Sequence, residues 1–171
     1  VIPFSVADMD LPVAPEIAQA LHRAVDFGVY GYTVPAQGYL DAVRGWMARR
    51  HGWAIQPEWI VPAFGVVHAI GQAVHAFTQP GDGIIYQPPA YPPFRKVPGA
   101  LGRTLLPNPL KHTDGRWEMD FDHLEALRAR PEAKLLLLCS PHNPTGRVWT
   151  REELGRVAGI CPAHQVLVFA D

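Results

Sequence analysis

"LLLLCSPHNPTGRVW", residues 135–149, is the stretch whose reading decides the fold. An unbroken apolar run of strand type stops at Cys139 and gives way to Ser140-Pro141-His142-Asn143-Pro144-Thr145-Gly146. A strand that is apolar at every position has both faces covered, as in a parallel sheet between helical layers. The prolines and glycine that follow stiffen a loop at the strand's carboxyl end and hold one asparagine within it.

Outward from that point the chain alternates in a way that extends the same reading. Thr150-Arg151-Glu152-Glu153 is a capping box, which opens a helix expected to bury Leu154, Val157 and Ala158. "VLVFA" (166–170) then reads as a second buried all-apolar strand. Strand, helix, strand in this order predicts an α/β unit with a right-handed crossover. Upstream, 120–130 reads as a helix with Phe121, Leu124 and Leu127 inward, 103–106 as a strand, and 83–87 as another. The proline-laden "PPAYPPF" (88–94) reads as loop. A helix from Gly65 carries Val66, Ile70, Val74 and Phe77 until Pro80-Gly81 ends it. Nearer the start, Pro15-Glu16-Ile17 opens a helix with the stripe Ile17, Leu21, Ala24 and Val25. Residues 26–35 are loop, and a second helix runs from 37 to 51 with Leu40, Val43 and Met47 on its buried face.

Composition excludes several classes of protein. Of 171 residues, 48% are hydrophobic and 18% charged, the balance of a packed globular chain. A net charge of -1 leaves no footprint for nucleic acid or an anionic membrane. The Arg49-Arg50 pair complements a helix C-terminus. No apolar run is long enough to span a bilayer, and the first ten residues lack a basic segment and cleavage signal. Cys139 and Cys161 are the only cysteines, in apolar surroundings, which suits free thiols in the reducing cytoplasm. His68 and His75 lie on one helix but have no third ligand and no H-E-x-x-H pattern, so they read as ordinary polar partners rather than a metal site. Trp46, Trp53 and Trp59 read as core and interface residues. No nucleophile elbow, Walker loop or dinucleotide fingerprint occurs.

Open α/β sheets bind ligands at the carboxyl ends of their strands. Three such ends carry suggestive groups here: Tyr91 beyond "IIYQ", Asn143 beyond "LLLLC", and Asp171 after "VLVFA". Gly65 adds a helix start whose free N–H groups, on Val66, Val67 and His68, form an anion site. One ligand uses all four. Pyridoxal 5'-phosphate offers a phosphate to the helix start, a flat ring to the tyrosine and a 3-hydroxyl to the amide. Its ring nitrogen, which must stay protonated, suits the carboxylate.

The same residues carry a resemblance. "SPHNPTG" resembles the N-P-x-N-P-T-G loop of the class I/II aminotransferases, the fold-type-I pyridoxal phosphate enzymes. "VADMD" (6–10), "YGYT" (30–33), "RRHGW" (49–53), "GVVHAI" (65–70), "PGDGIIYQPPAYPPF" (80–94) and "HNPTGRVWTREEL" (142–154) are similar to its MalY/PatB-type cystathionine β-lyase branch. The likeness runs from end to end of the chain. It implies an α/β fold: part of the large domain of fold type I, mostly parallel sheet with flanking helices, after an N-terminal helical segment. Residues 1–52 would form the N-terminal arm and helices, with small-domain and dimer contacts. Residues 53–171 would be the N-terminal part of the cofactor-binding large domain.

Position by position, the resemblance assigns the Gly65-Val66-Val67 turn to the cofactor phosphate, Tyr91 to stacking on the ring, and Asn143 to the 3-hydroxyl. It pairs Asp171 with the ring nitrogen and sends Tyr32 toward the phosphate of a neighbouring subunit in a homodimer. Ala7 and Asp8 fall near the substrate end of the cleft. No metal, membrane or nucleic acid is implied. One element of the family pattern is missing: the lysine that forms the Schiff base and shuttles the α-proton. Lys134 precedes its strand, while Lys96 and Lys111 fall in loop-like stretches, and Arg147 does not match the substrate-gripping arginine. The chain therefore reads as an N-terminal fragment, inactive alone, of a carbon–sulfur β-lyase that yields thiol, pyruvate and ammonia. An aminotransferase on the same scaffold, and a non-catalytic cofactor-binding or regulatory protein, remain alternatives.

Overall fold

A computed structural model describes residues 10–171, except for the His164 side chain. Ala7 and Asp8 lie outside the described residues. The chain divides into two compact units, Val1–Ile60 and Val61–Asp171.

The first unit holds α1 (Pro15–Phe27), α2 (Gln37–His51) and a 3-10 turn at Pro57–Trp59. Pro15 sits in the first turn of α1, where its missing N–H costs nothing, and Gly28 ends the helix at φ 70°. Gly52 closes α2 in the same left-handed conformation, its N–H returning to the Ala48 carbonyl. Leu40, Val43 and Met47 form a half-buried face on α2. The stripe of α1 stays in solvent: Ile17, Leu21 and Val25 are each more than half exposed. Trp46, Trp53 and Trp59 are also mostly exposed, which corrects their assignment to a core.

The second unit is a three-layer α/β sandwich. Its sheet is wholly parallel, in the order β2-β1-β5-β6, from β1 (Gly83–Tyr86), β2 (Thr104–Pro107), β5 (Ala133–Leu138) and β6 (Leu167–Ala170). Alternate side chains of the central strands feed two cores, because successive residues point to opposite faces. Ile84, Leu135, Leu137 and Cys139 pack with Ile70 and Val74 of α3 (Val66–Phe77) and Phe94 of α4 (Pro93–Ala100). Ile85, Leu136 and Leu138 pack on the other face with α5 (Phe121–Arg128) and α6 (Arg151–Ile160). This double burial is why 134–139 shows no polar alternation. Each fully buried leucine there contributes roughly 1.5–3 kcal/mol.

Several expectations need correction. "PPAYPPF" does not stay loop: Pro92 and Pro93 start α4, taking the positions where no backbone donor is needed, so Lys96 lies on a helix. Lys111 lies in a strand, since β3 (Lys111–Thr113) and β4 (Arg116–Glu118) form an antiparallel hairpin. Its turn is Asp114-Gly115, both at positive φ, a dipeptide suited to tight hairpins. The capping box is present as expected, Thr150 accepting from the Glu153 N–H and Glu153 accepting from the Thr150 N–H. On α6, however, Val157 and Ile160 carry the burial, Leu154 is half-buried and Ala158 is exposed. Among the described residues β6 pairs with β5 alone, which leaves Leu167 47% and Val168 38% exposed where burial was expected.

A buried arginine fixes the direction of α3. Arg103 donates to the Thr78 hydroxyl at 2.9 Å, to the Thr78 carbonyl at 2.7 Å and to the Val74 carbonyl at 3.2 Å. It thus caps the carboxyl end of α3, where a cation complements the dipole. The turn Thr78–Asp82, held by the Gln79 N–H on Asp82 Oδ2, then leads directly into β1. α3 therefore runs antiparallel to the sheet, and its amino end, at Gly65, faces the sheet's carboxyl edge.

Candidate functional site at the carboxyl edge of the sheet

Four elements meet at that edge. After β5, the loop 140–147 is closed by its own backbone: the His142 N–H donates to the Arg147 carbonyl and the Gly146 N–H to the His142 carbonyl, both at 2.7 Å. Gly146, at φ 70°, makes the turn between them. The Ser140–Pro141, Asn143–Pro144 and Pro88–Pro89 peptide bonds are cis. Trp149, buried against the strand, donates its indole N–H to the Cys139 carbonyl at 2.8 Å and holds the strand end down.

Asp171 is set by the sheet ladder running one residue beyond β6. Its N–H donates to the Leu138 carbonyl at 2.8 Å, and its carbonyl accepts from the Ser140 N–H at 3.0 Å. The Asp171 carboxylate and the Asn143 backbone N–H then converge on one sulfur, which also faces the Pro141 carbonyl at 3.3 Å. Asp171 Oδ2 lies 3.6 Å from Cys139 Sγ, and the Asn143 N–H points at the same sulfur from 3.5 Å. The nearby carboxylate and, first of all, burial push the Cys139 thiol up, so it stays protonated and able to donate. Asn143 and Asp171 therefore sit on either side of a single thiol.

Tyr91 joins them from the segment after β1. It lines a small pocket together with Gln87, Cys139, His142 and Asn143, and the residue is 45% exposed. Gln87 is buried there; its amide N–H donates to Asn108 Oδ1 at 3.2 Å, while its own Oε1 has no donor. None of the chain's three lysines lines this pocket. Lys96 is exposed on α4, Lys111 pairs with Asp120 at 2.7 Å, and Lys134 sits near the amino end of β5.

Gly65 precedes α3 at φ 84° and ψ 163°, a region that only glycine occupies readily. The first intrahelical bond there is from the Ala69 N–H to the Gly65 carbonyl, so the N–H groups of Val66, Val67 and His68 have no helical acceptor. The structure thus brings Asn143, Asp171 and Tyr91 together, with the α3 tip at the same edge. Tyr32 belongs to the first unit and is fully exposed. His68 and His75 gather no further ligands: among the described residues no cluster of three metal-binding side chains occurs.

Sequence reasoning missed the two residues that knit the site. Cys139 read as core, and buried it is, yet its sulfur bridges two loops. His142 drew no role of its own from the sequence, yet it is 2% exposed with both ring nitrogens engaged. A histidine between two prolines at a strand end was the only available sign.

Comparison with known proteins places the chain in a family. The family model described as aminotransferase class I and II matches residues 1–171. The chain is 46% identical over 170 residues to cystathionine β-lyase PatB of Bacillus subtilis, covering 99% of this chain and 44% of that protein. It is 36% identical to protein MalY of Escherichia coli, with 99% and 44% covered. Cystalysin of Treponema denticola, a crystal structure with a pyridoxal 5'-phosphate cofactor, superimposes with a TM-score of 0.95 at 41% identity, over 100% of this chain and 43% of that one. The chain spans less than half the length of these relatives. Matched along its whole length by the family model, the chain belongs to the class I and II aminotransferase family.

Proposed function

We propose that this chain is the cofactor-binding portion of a pyridoxal phosphate-dependent carbon–sulfur β-lyase. Its substrate would be cystathionine or another cysteine S-conjugate, and its products a thiol, pyruvate and ammonia. The observation that carries the reading is the meeting of Tyr91, Asn143 and Asp171 at the sheet edge that the amino end of α3 also faces, in a chain this similar to PatB.

The residues present fit the cofactor. Among the described residues, and apart from its chain neighbours, no heavy atom lies within 4 Å of where a Cβ on Gly65 would stand, which leaves room for a phosphate against the Val66, Val67 and His68 donors. Tyr91 offers a ring face, and Asn143 an amide donor for a phenolic oxygen. Asp171 would keep a pyridine nitrogen protonated, and its weak thiol partner leaves the carboxylate free to do so. When bound, the cofactor supplies an electron sink for negative charge at the substrate's Cα. The proton at Cα must be carried by a lysine that this chain does not place at the pocket, so the reading assigns that lysine to other parts of the protein.

The reading includes a cytoplasmic homodimer. Ile17, Leu21, Val25 and Phe27 of α1 expose a large apolar stripe, and Tyr32 projects fully into solvent. Such a stripe suits burial against a second copy. Both cysteines are free, as a reducing compartment requires. No described helix is long and apolar enough to cross a membrane.

The test is pyruvate release from cystathionine by the protein carrying this chain, with no keto acid added. Release supports the lyase. Turnover only when a keto acid is supplied replaces it with an aminotransferase. Cofactor binding without either reaction replaces it with a regulatory binder.

A further inference from the structure

We propose that His142 is a positioning residue: its neutral imidazole, with the proton on Nε2, clasps the segment bearing Tyr91 to the loop bearing Asn143. The inference deepens the cofactor reading and rests on it for its effect on binding.

The hydrogen bonds assign the proton. Nε2 lies 3.2 Å from the Gln87 carbonyl oxygen, which can only accept, so Nε2 carries the hydrogen. Nδ1 is then a bare lone pair, 2.9 Å from the Thr145 hydroxyl, which donates to it. The same hydroxyl oxygen faces the Arg147 N–H at 3.4 Å. One chain of bonds thus runs from the segment after β1, through the ring, to the turn of the 142–147 loop. Gln87 stands at the start of the segment that leads to Tyr91, and Asn143 is the residue next to the ring. The two groups expected to hold the face and the hydroxyl of one pyridine are therefore spaced by one imidazole.

Surroundings keep that ring neutral. Burial pushes its pKa below the ordinary value, with the Gln87 carbonyl opposing in part. Trp149 meets the ring edge-on at 5.8 Å. Among the described residues, these charged or titratable groups are placed around the ring. The Arg147 guanidinium lies over the Trp149 ring and is paired with Glu153; Cys139 and Tyr91 line the shared pocket; Asp171 stands behind Cys139. None of these accepts from Nδ1. A second proton on the ring would reverse this bond, Nδ1–H donating to the Thr145 hydroxyl, and would set a cation in the buried site, which loosens the clasp.

The experiment uses the protein carrying this chain, with pyridoxamine 5'-phosphate as probe, because it lacks the aldehyde that would modify lysines. Nitrogen NMR of the imidazole, without ligand, reads the tautomer. Dissociation constants against pH are then measured for the natural protein, His142→Gln, His142→Phe and Thr145→Val. Glutamine keeps a donor and an acceptor but does not titrate, and phenylalanine keeps only the ring. We expect the Nε2–H tautomer at neutral pH. His142→Phe should weaken binding about 5- to 100-fold, as expected when buried polar groups lose their partners. Thr145→Val should do so less, and glutamine should come within a few-fold of the natural residue. Affinity of the natural protein should fall on acidification where the NMR shows the ring titrating, and this step should vanish in His142→Gln. The probe's own phosphate titration cancels between those two. An Nδ1–H tautomer or an imidazolium at neutral pH overturns the proposal, as does a phenylalanine variant that binds as tightly with the same pH profile. If the natural protein binds no probe, the cofactor reading fails. The clasp is then decided by amide exchange, where His142→Phe must speed exchange at both Leu110, whose N–H donates to the Pro88 carbonyl, and Gly146, and unchanged exchange overturns it.

Discussion

Gly65→Ala isolates the backbone's part in the site. Gly65 sits at φ 84° and ψ 163°. An L-residue held there costs about 1–3 kcal/mol. Apart from its chain neighbours, no heavy atom among the described residues lies within 4 Å of the added Cβ, so the cost is torsional and not a clash. The variant has two ways out: accept the strain, or relax the turn and swing the Val66, Val67 and His68 N–H groups away from a common focus. The first lowers the stability of the second unit by that amount; the second preserves stability and weakens phosphate binding. Gly155→Ala is the matched control. Gly155 lies within α6 with open space around it, and alanine there should stabilise by about 0.4–1 kcal/mol through helix propensity. Urea unfolding paired with pyridoxamine 5'-phosphate titration reads both terms. A Gly65→Ala protein matching the natural one in both midpoint and affinity would refute the reasoning.

Arg103→Met removes a buried cation that holds three acceptors on the carboxyl end of α3. It should destabilise by about 3 kcal/mol, seen as a lowered urea midpoint, because those acceptors lose charged partners inside the fold. Thr150→Ala removes half of the capping box and should cost about 1 kcal/mol, with Glu153→Gln costing less. Acid should lower the urea midpoint in two successive pH stages. The His142 pKa is lowered from 6.5, so the unfolded chain takes up a proton first and stability is lost as pH falls below that value. Glu153 is likewise lowered from 4.5, against its burial, by Thr150 and Arg147, so its contribution is present above that pH and lost below it. His142→Gln should abolish the first stage in a urea-midpoint series and leave the second.

The sequence was most legible where local chemistry and tertiary packing agree. The continuous apolar run at 134–139 implied a strand with both faces covered, and Ile70, Val74, Leu124 and Val157 cover them. The capping box at Thr150 is a purely local signal and was read without loss. Asn143, Tyr91 and Asp171 were legible as a set because each follows a strand of one parallel sheet, and such strands share a carboxyl edge. Three failures have equally physical causes. The prolines at 92 and 93 look like loop residues but suit a helix's first turn, which hid α4. The Asp114-Gly115 turn went unread because its flanking strands are three residues long and carry little pattern. "VLVFA" was read as buried because its composition is that of a central strand, yet burial depends on neighbours, and among the described residues β6 has only β5. The Cys139 bridge and the His142 clasp were out of reach, since hydrogen bonds between loops distant in sequence leave no periodic trace.

The most direct test of the account is a backbone amide NMR titration with pyridoxamine 5'-phosphate. The account predicts that Val66, Val67 and His68 shift together with Asn143 and the Tyr91 ring, saturating along one binding curve, and that Asp171→Asn weakens that curve without scattering it. Shifts confined to other surfaces, or separate curves for the α3 tip and the Asn143 loop, would show that these groups do not hold one ligand.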